Sequence, residues 1–277
     1  MRIIHVHNSE EIVAAMSPPR DVWLKLHGGV YGGGLSFTDV QRVWWTAYDA
    51  ADRPIFTDCP WVLKVEGGSD LWLSGLVGQD WTHYGLLLRP GPTAPWTTQV
   101  RNVRLTDCAM GPRPEGADGT GTAFELVHID GVVLDRCGAE DWGEHGCGIT
   151  MNGCRGGVIR DCTCRTQRDT TAAMLIKSGS ADIDVEGGRF ESGGDYAVTI
   201  GGLTAPEIGR PESEGWEAQR VHIARAYINA KRTAFPLYQA MGVELQDITY
   251  GPDVIDAYKG VIRNWGKVMR PSSVTVG

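Results

Sequence analysis

From residue 122 onward the chain alternates. Short runs place apolar side chains at every second position, stop at Gly or Asx, and begin again. The runs are Ala123–His128, Gly148–Gly153, Ala173–Ser178, Ala197–Gly202 and Phe235–Ala240, and their starts are 25, 25, 24 and 38 residues apart. A further copy, Gly85–Pro90, lies upstream. A second series follows the first: Val103–Cys108, Val132–Cys137, Gly157–Cys162, Ile183–Glu186, Val221–Ala224 and Val243–Ile248. A period of two marks strands with one buried face, and no stripe at helical spacing survives here. A repeat of about two dozen residues holding two to three short strands cannot bury its own apolar face, so the copies must stack. The pattern predicts one all-β domain, a parallel β-helix solenoid, with coils over residues 35–254.

The ends read differently. Asn8–Met16 opens on capping residues, carries acids in its first turn and spaces its apolar residues as a helix does. It predicts an N-terminal capping helix, stopped by Pro18 and Pro19, with Val22–Leu26 as the first strand; residues 1–34 form this cap and strand. Solenoids need closed ends, because an open coil exposes apolar faces and unpaired edges, and residues 255–277 are expected to close the other end.

Alternation also assigns sides. Phe124/Leu126, Ile149/Met151, Met174/Ile176, Val198/Ile200 and Pro236/Tyr238 are expected to point inward. One outward column is then Glu125, Thr150, Leu175, Thr199 and Leu237; the next is Arg89, Val127, Asn152, Lys177, Gly201 and Gln239. Strands about 4.8 Å apart place Lys177 about 5 Å from Asn152 in backbone terms, and Glu125 about 10 Å away. Loops flank this strip. Those leaving it, from Arg89 to Gln99 and from Gly202 to Gln219, are long, and long insertions on one side of a solenoid build its binding face. Together with the entering loops they bring Trp96, Trp142 and Trp216, which are expected to stack on sugar rings.

Composition narrows the partners. The net charge of −8 argues against nucleic acid, while a local basic patch would still hold an acidic glycan. No apolar run is long enough for a membrane, and no secretory apolar segment opens the chain. As given, the chain reads as cytoplasmic; a removed leader would make it secreted or periplasmic. Cys108, Cys137 and Cys162 occupy one position in successive second strands, which predicts a ladder of buried, reduced thiols. Cys162-Thr-Cys164 is too short for the usual zinc spacing.

The segments Ile4–Ser9 with Trp23–Tyr31, and Met174–Phe190, carry a resemblance. The chain resembles the right-handed parallel β-helix superfamily of carbohydrate-active proteins, in particular the chondroitinase B and alginate lyase type of polysaccharide lyase. The resemblance places Lys177 on that group's catalytic lysine. It also implies an arginine on the following coil and calcium-binding acids before the lysine. The following coil reads Ala197–Gly202, without arginine, and the nearest acids are Glu125 and Asp169, the candidate ligands for Ca2+. The string Ile176–Ser180 also resembles polygalacturonase-type hydrolases, whose paired aspartates would fall on Thr171 and Ala172.

These readings converge on a poly- or oligosaccharide lyase that cleaves a uronate-containing glycan by β-elimination. Such chemistry needs a base for the proton next to the carboxylate, a partner for the carboxylate, and an acid at the leaving oxygen. Lys177 is the candidate base. Tyr196, His145 and Arg168 are candidates for the acid. Arg89, Asn152, Thr150, Thr199, Gln239, Trp142 and Trp216 are the candidate substrate contacts. A non-catalytic glycan-binding β-helix, and a glycoside hydrolase pairing Glu125 with Asp118 or Asp169, remain the alternatives.

Overall fold

The structure, a computed structural model, describes residues 1–91, 100–117, 121–202, 209, 210, 213 and 215–259, together with the backbone of 260–261 and 272–276. It is a parallel β-helix of about nine turns. Each typical coil holds three strands, as in Ala172–Lys177, Ser180–Glu186 and Arg189–Glu191. The first and second series share one large sheet, and the short third series builds a separate nine-stranded sheet. Every pairing is parallel and joins a strand to its counterpart one coil away. Glu125 lies opposite Thr150, Thr150 opposite Leu175, and Asn152 opposite Lys177.

The bends explain why so short a repeat can close. Between the first and second strands the backbone enters the left-handed region at His128, Gly153 and Ser178. A second column of left-handed residues, including Asp70, Asn102, Gly131, Gly156 and Asp182, kinks the second strand. A third, Asp107, Arg136, Asp161, Gly187 and Asp247, ends it. Asx and Gly tolerate this conformation at least cost, which is why they punctuate the repeat.

Phe124, Leu126, Ile149, Met151, Met174 and Ile176 are fully buried, as the alternation requires. All seven cysteines are buried and unpaired, and Cys108, Cys137 and Cys162 stack as neighbouring thiols.

Three expectations change. Arg2–Val6 is itself a strand, paired in register with Val22–Leu26, so the first strand precedes the helix. The helix spans Ser9–Ala15, with the Asn8 side chain accepting from Glu11 N–H at 2.9 Å and Glu11 accepting from His7 N–H at 2.7 Å. At the other end, Asp256–Val261 and Ser272–Val276 pair with Thr233–Tyr238 and Ala240–Gln246, so the coils run on past residue 254; residues 262–271 lie outside the described residues. Finally, Ile200 lies opposite Leu237 and Gly201 opposite Tyr238, one residue off the expected register. Phe235 and Leu237 fill the core, which turns Pro236 and Tyr238 to the opposite face, with Tyr238 half-buried there. Gln239 therefore leaves the strip; it is a buried bend residue with φ of 48°.

Candidate functional site

The outward strip is continuous across the coils. One column runs Glu66, Arg89, Val127, Asn152 and Lys177, then Gly201 and Tyr238. The adjacent column runs Lys64, Leu87, Glu125, Thr150, Leu175 and Thr199. Sequence reasoning placed Arg89, Glu125, Asn152 and Lys177 on this face correctly.

Glu125 is the centre of the polar cluster. Asn152 Nδ2 donates to Glu125 Oε1 at 2.6 Å, and Asn152 Oδ1 accepts from Ser178 Oγ at 3.2 Å. The amide is thereby fixed at both ends, with one N–H left to point away from Glu125. Burial pushes the Glu125 carboxyl up to about 7, against the opposing influence of the Asn152 hydrogen bond, the Lys177 charge and the Thr150 and Thr122 hydroxyls. At neutral pH this carboxyl is thus partly protonated. Thr150 is only 3% exposed, so it supports Glu125 and offers no contact of its own to a ligand. Thr199 is also buried, and its hydroxyl has no hydrogen-bond partner among the described residues.

Glu66 behaves oppositely. It is buried, and burial opposes its charge, yet hydrogen bonds from Arg89 Nε at 2.8 Å and Lys64 Nζ at 3.0 Å outweigh burial and hold its carboxyl below the usual range. Arg89 is therefore tied to a buried carboxylate, a partner that sequence reasoning missed. The alternation in Leu63-Lys-Val-Glu66 is its only trace in the chain.

Lys177 stays half-buried at the end of its strand. Its methylene chain crosses Gly202, where an added Cβ would come within 3.2 Å of Lys177 Cδ. At Gly201, on the next coil, φ is 86° and an added Cβ would lie 1.6 Å from the Tyr238 carbonyl oxygen. Among the described residues the column carries no side chain on the Gly201 rung between Lys177 and Tyr238, a notch in the row of side chains. Tyr238 was missed because of the register slip; placing Phe235 and Leu237 inward would have revealed it.

The remaining candidates separate from this cluster. His145 and Arg168 line a different cleft of about 500 Å³, with Arg113, Glu115 and Glu144, on the loops that enter the strip. Arg168 Nη2 donates to the Arg113 carbonyl at 3.0 Å, and the His145 carbonyl accepts from Thr171 Oγ1 at 3.1 Å. Tyr196 is half-buried and bridges to Thr233. Trp142 is fully buried, its Nε1 donating to Thr170 Oγ1 at 2.7 Å, so it presents no face to a sugar. Trp216 keeps a half-buried position beside Ser213. Trp96 and Asp118 lie outside the described residues. From the long insertion, buried Arg210 reaches back to Asp130 Oδ1 at 2.6 Å and to the Gly153 carbonyl, which anchors that segment beside the bend at Ser178.

The calcium expectation rests on Glu125 and Asp169. Among the described residues no group of three or more His, Cys, Asp or Glu side chains is placed to hold a metal ion. Glu125 is surrounded by Asn152, two threonines and Lys177. Asp169 is exposed on an entering loop.

No family model and no curated protein matches the chain. Solved structures do. The A-module of the mannuronan C-5 epimerase AlgE4 from Azotobacter vinelandii superposes with a TM-score of 0.61 at 11% identity, covering 88% of this chain and 77% of that one. The AlgE6 A-module from the same organism gives 0.57 at 12%, covering 88% and 73%. An alginate lyase from Paenibacillus sp. str. FPU-7 gives 0.60 at 10%, covering 93% of this chain and 98% of that one. At such identities the likeness carries the architecture alone, and by its pairing and by these neighbours the chain is a parallel β-helix.

Proposed function

We propose that this β-helix acts on an acidic, uronate-containing polysaccharide by taking the proton next to the sugar carboxylate, and that β-elimination follows. The observation that carries the reading is the Glu125–Asn152–Lys177 cluster, a partly protonated carboxyl, a fixed amide and an amine on adjacent rungs of one outward face. Neighbours of the same architecture whose names are alginate lyase and mannuronan epimerase support it.

Each group has a role. The free Asn152 N–H and the protonated Glu125 carboxyl hydrogen-bond the uronate carboxylate and disperse the charge that develops on it as the proton leaves. Lys177 Nζ takes the C5 proton. The electron pair forms the C4–C5 double bond, the bond from C4 to the glycosidic oxygen breaks, and that oxygen needs a proton. Tyr238, across the notch at Gly201, supplies it. Arg89, neutralised by Glu66, binds a sugar further along the strip.

The test is turnover of polymannuronate, polyguluronate and glycosaminoglycan chains, followed by the ultraviolet absorbance of the new unsaturated uronate. Lys177→Ala should abolish turnover with the fold intact, and Tyr238→Phe should lower it about 100-fold, the range for a general acid. Full turnover by the Lys177→Ala protein would refute the assignment.

The position of Tyr238 favours a second reading. A proton taken by Lys177 on one side of the notch and returned by Tyr238 on the other inverts C5 and leaves the chain uncut. Reaction in heavy water separates the two: inversion puts deuterium at C5 without an unsaturated end.

A further inference from the structure

A second outward face carries a different pattern. On the second-series strands, Trp23 lies opposite Trp44 and Trp44 opposite Trp72, with Arg104 on the next rung. All three tryptophans point away from the core and stay half-buried. Their rings meet edge to face, 5.5 Å apart at 71° and again 5.5 Å apart at 68°. Lys25 Nζ lies 3.9 Å from the centre of the Trp23 ring, and the Arg104 guanidinium 5.7 Å from that of Trp72. The face adjoins the Lys177 strip across the bend. Along the helix axis Trp72 shares a coil with Glu66, four rungs from Lys177, or about 19 Å at the usual strand spacing.

Aromatic ladders of this kind can simply cover a sheet. Charge argues for more. In the two outward columns of this face, the coils from Ile3 to Thr106 contain no Asp or Glu, although the chain has 34 acids. The same columns further along carry Asp135, Asp184, Glu186 and Glu244 against Arg160 and His222. The aromatic half is therefore the cationic half. Ring faces carry negative charge density that attracts the C–H groups of a pyranose, and the interleaved cations match carboxylates.

We infer that Trp23, Trp44 and Trp72, with Lys25 and Arg104, form a docking surface for an acidic polysaccharide, separate from the Lys177 strip. The choice of an acidic glycan rests on the uronate reading of that strip. The ladder holds a long polymer beside the strip and raises its local concentration there, so long chains gain over short oligomers.

The experiment is affinity electrophoresis of the full chain through gels containing polymannuronate, at low and high salt, with a neutral glucan gel as control. Wild type should be retarded by polymannuronate, less so at high salt, and not by the glucan. The Trp44→Thr/Trp72→Thr pair and, separately, Arg104→Glu should weaken retardation about tenfold, the effect of losing an interfacial hot spot. Arg104→Glu keeps every ring in place, so it decides the matter even where the tryptophan pair misfolds. Retardation unchanged by Arg104→Glu would overturn the inference. So would light scattering that shows a dimer which the ladder variants convert to monomer, because the occupant is then a second copy of the chain. A protein that is retarded through its ladder yet yields no product would sink the lyase reading alone; one that turns over without ladder-dependent retardation would sink the docking surface alone.

Discussion

Replacing Glu125 with Gln tests the electrostatics of the strip directly. Burial raises the carboxyl from an ordinary value of 4.5 to about 7. A raised carboxyl binds its proton more tightly in the folded state. Its stabilising contribution is therefore complete below pH 4.5 and is lost as the pH climbs through 7, the reverse of a salt-bridged acid. The difference of 2.5 in pKa, at 1.36 kcal/mol each, amounts to about 3 kcal/mol at full effect. For a chain of 277 residues that corresponds to a thermal midpoint about 5 °C lower at pH 8 than at pH 4.5 from this group alone. Glu125→Gln keeps an acceptor for Asn152 Nδ2 and carries no titrating proton. Thermal unfolding of both proteins at pH 4.5, 6, 7 and 8 isolates the effect: the midpoint of the variant, minus that of wild type, should rise with pH and do so mainly between 5 and 8. A difference that stays constant across that window would refute the reasoning. The same variant should flatten the fall in turnover above pH 7 where protonated Glu125 holds the substrate.

Two further outcomes follow from the strip. Arg89→Ala leaves Glu66 with Lys64 as its remaining cationic partner, so it should destabilise the protein by about 1–2 kcal/mol at pH 7. Because the Glu66 carboxyl is held low, that loss should shrink as the pH falls below 4.5 toward its folded value; equal losses at pH 7 and pH 3 in urea denaturation would contradict it. Gly201→Ala would drive a methyl group into the Tyr238 carbonyl and strain a backbone at φ of 86°, at about 1–3 kcal/mol or more, and should depress turnover as Tyr238→Phe does. A variant with an unchanged thermal midpoint and full turnover would show that the notch is not as described.

The stacked architecture was readable because a two-residue period and a two-dozen-residue repeat are both local, and each coil touches only its neighbours. The core assignments at Phe124, Ile149 and Met174 followed at once. What failed did so where a neighbour far along the chain decides. Nothing in Phe235–Ala240 alone tells which parity wins, and only the burial of Phe235 with Leu237 does. Arg2–Val6 reads as a tail until Arg20–Leu26 supplies its partner beyond the helix. The Glu66 pairing lay in the long strand Cys59–Ser74, whose length masks the repeat. Trp142 was indistinguishable from a surface ring, because the Thr170 hydroxyl that receives its N–H is 28 residues away. The Lys177 face emerged from alternation, whereas the loop candidates His145 and Arg168 fell elsewhere because no periodicity governs loops.

The bends bear on the acidity of the whole chain. Of the eighteen non-glycine residues with positive φ among the described residues, ten are Asp and four are Arg, which contributes −6 to a total of −8. Aspartate is there because its short side chain tolerates the turn. Most of the overall acidity is thus a by-product of winding the polypeptide, laid down along the corners of the prism. The flat faces between those corners set their own potential, and a polyanion approaching one of them meets the local pattern of side chains there before it meets the molecule's total.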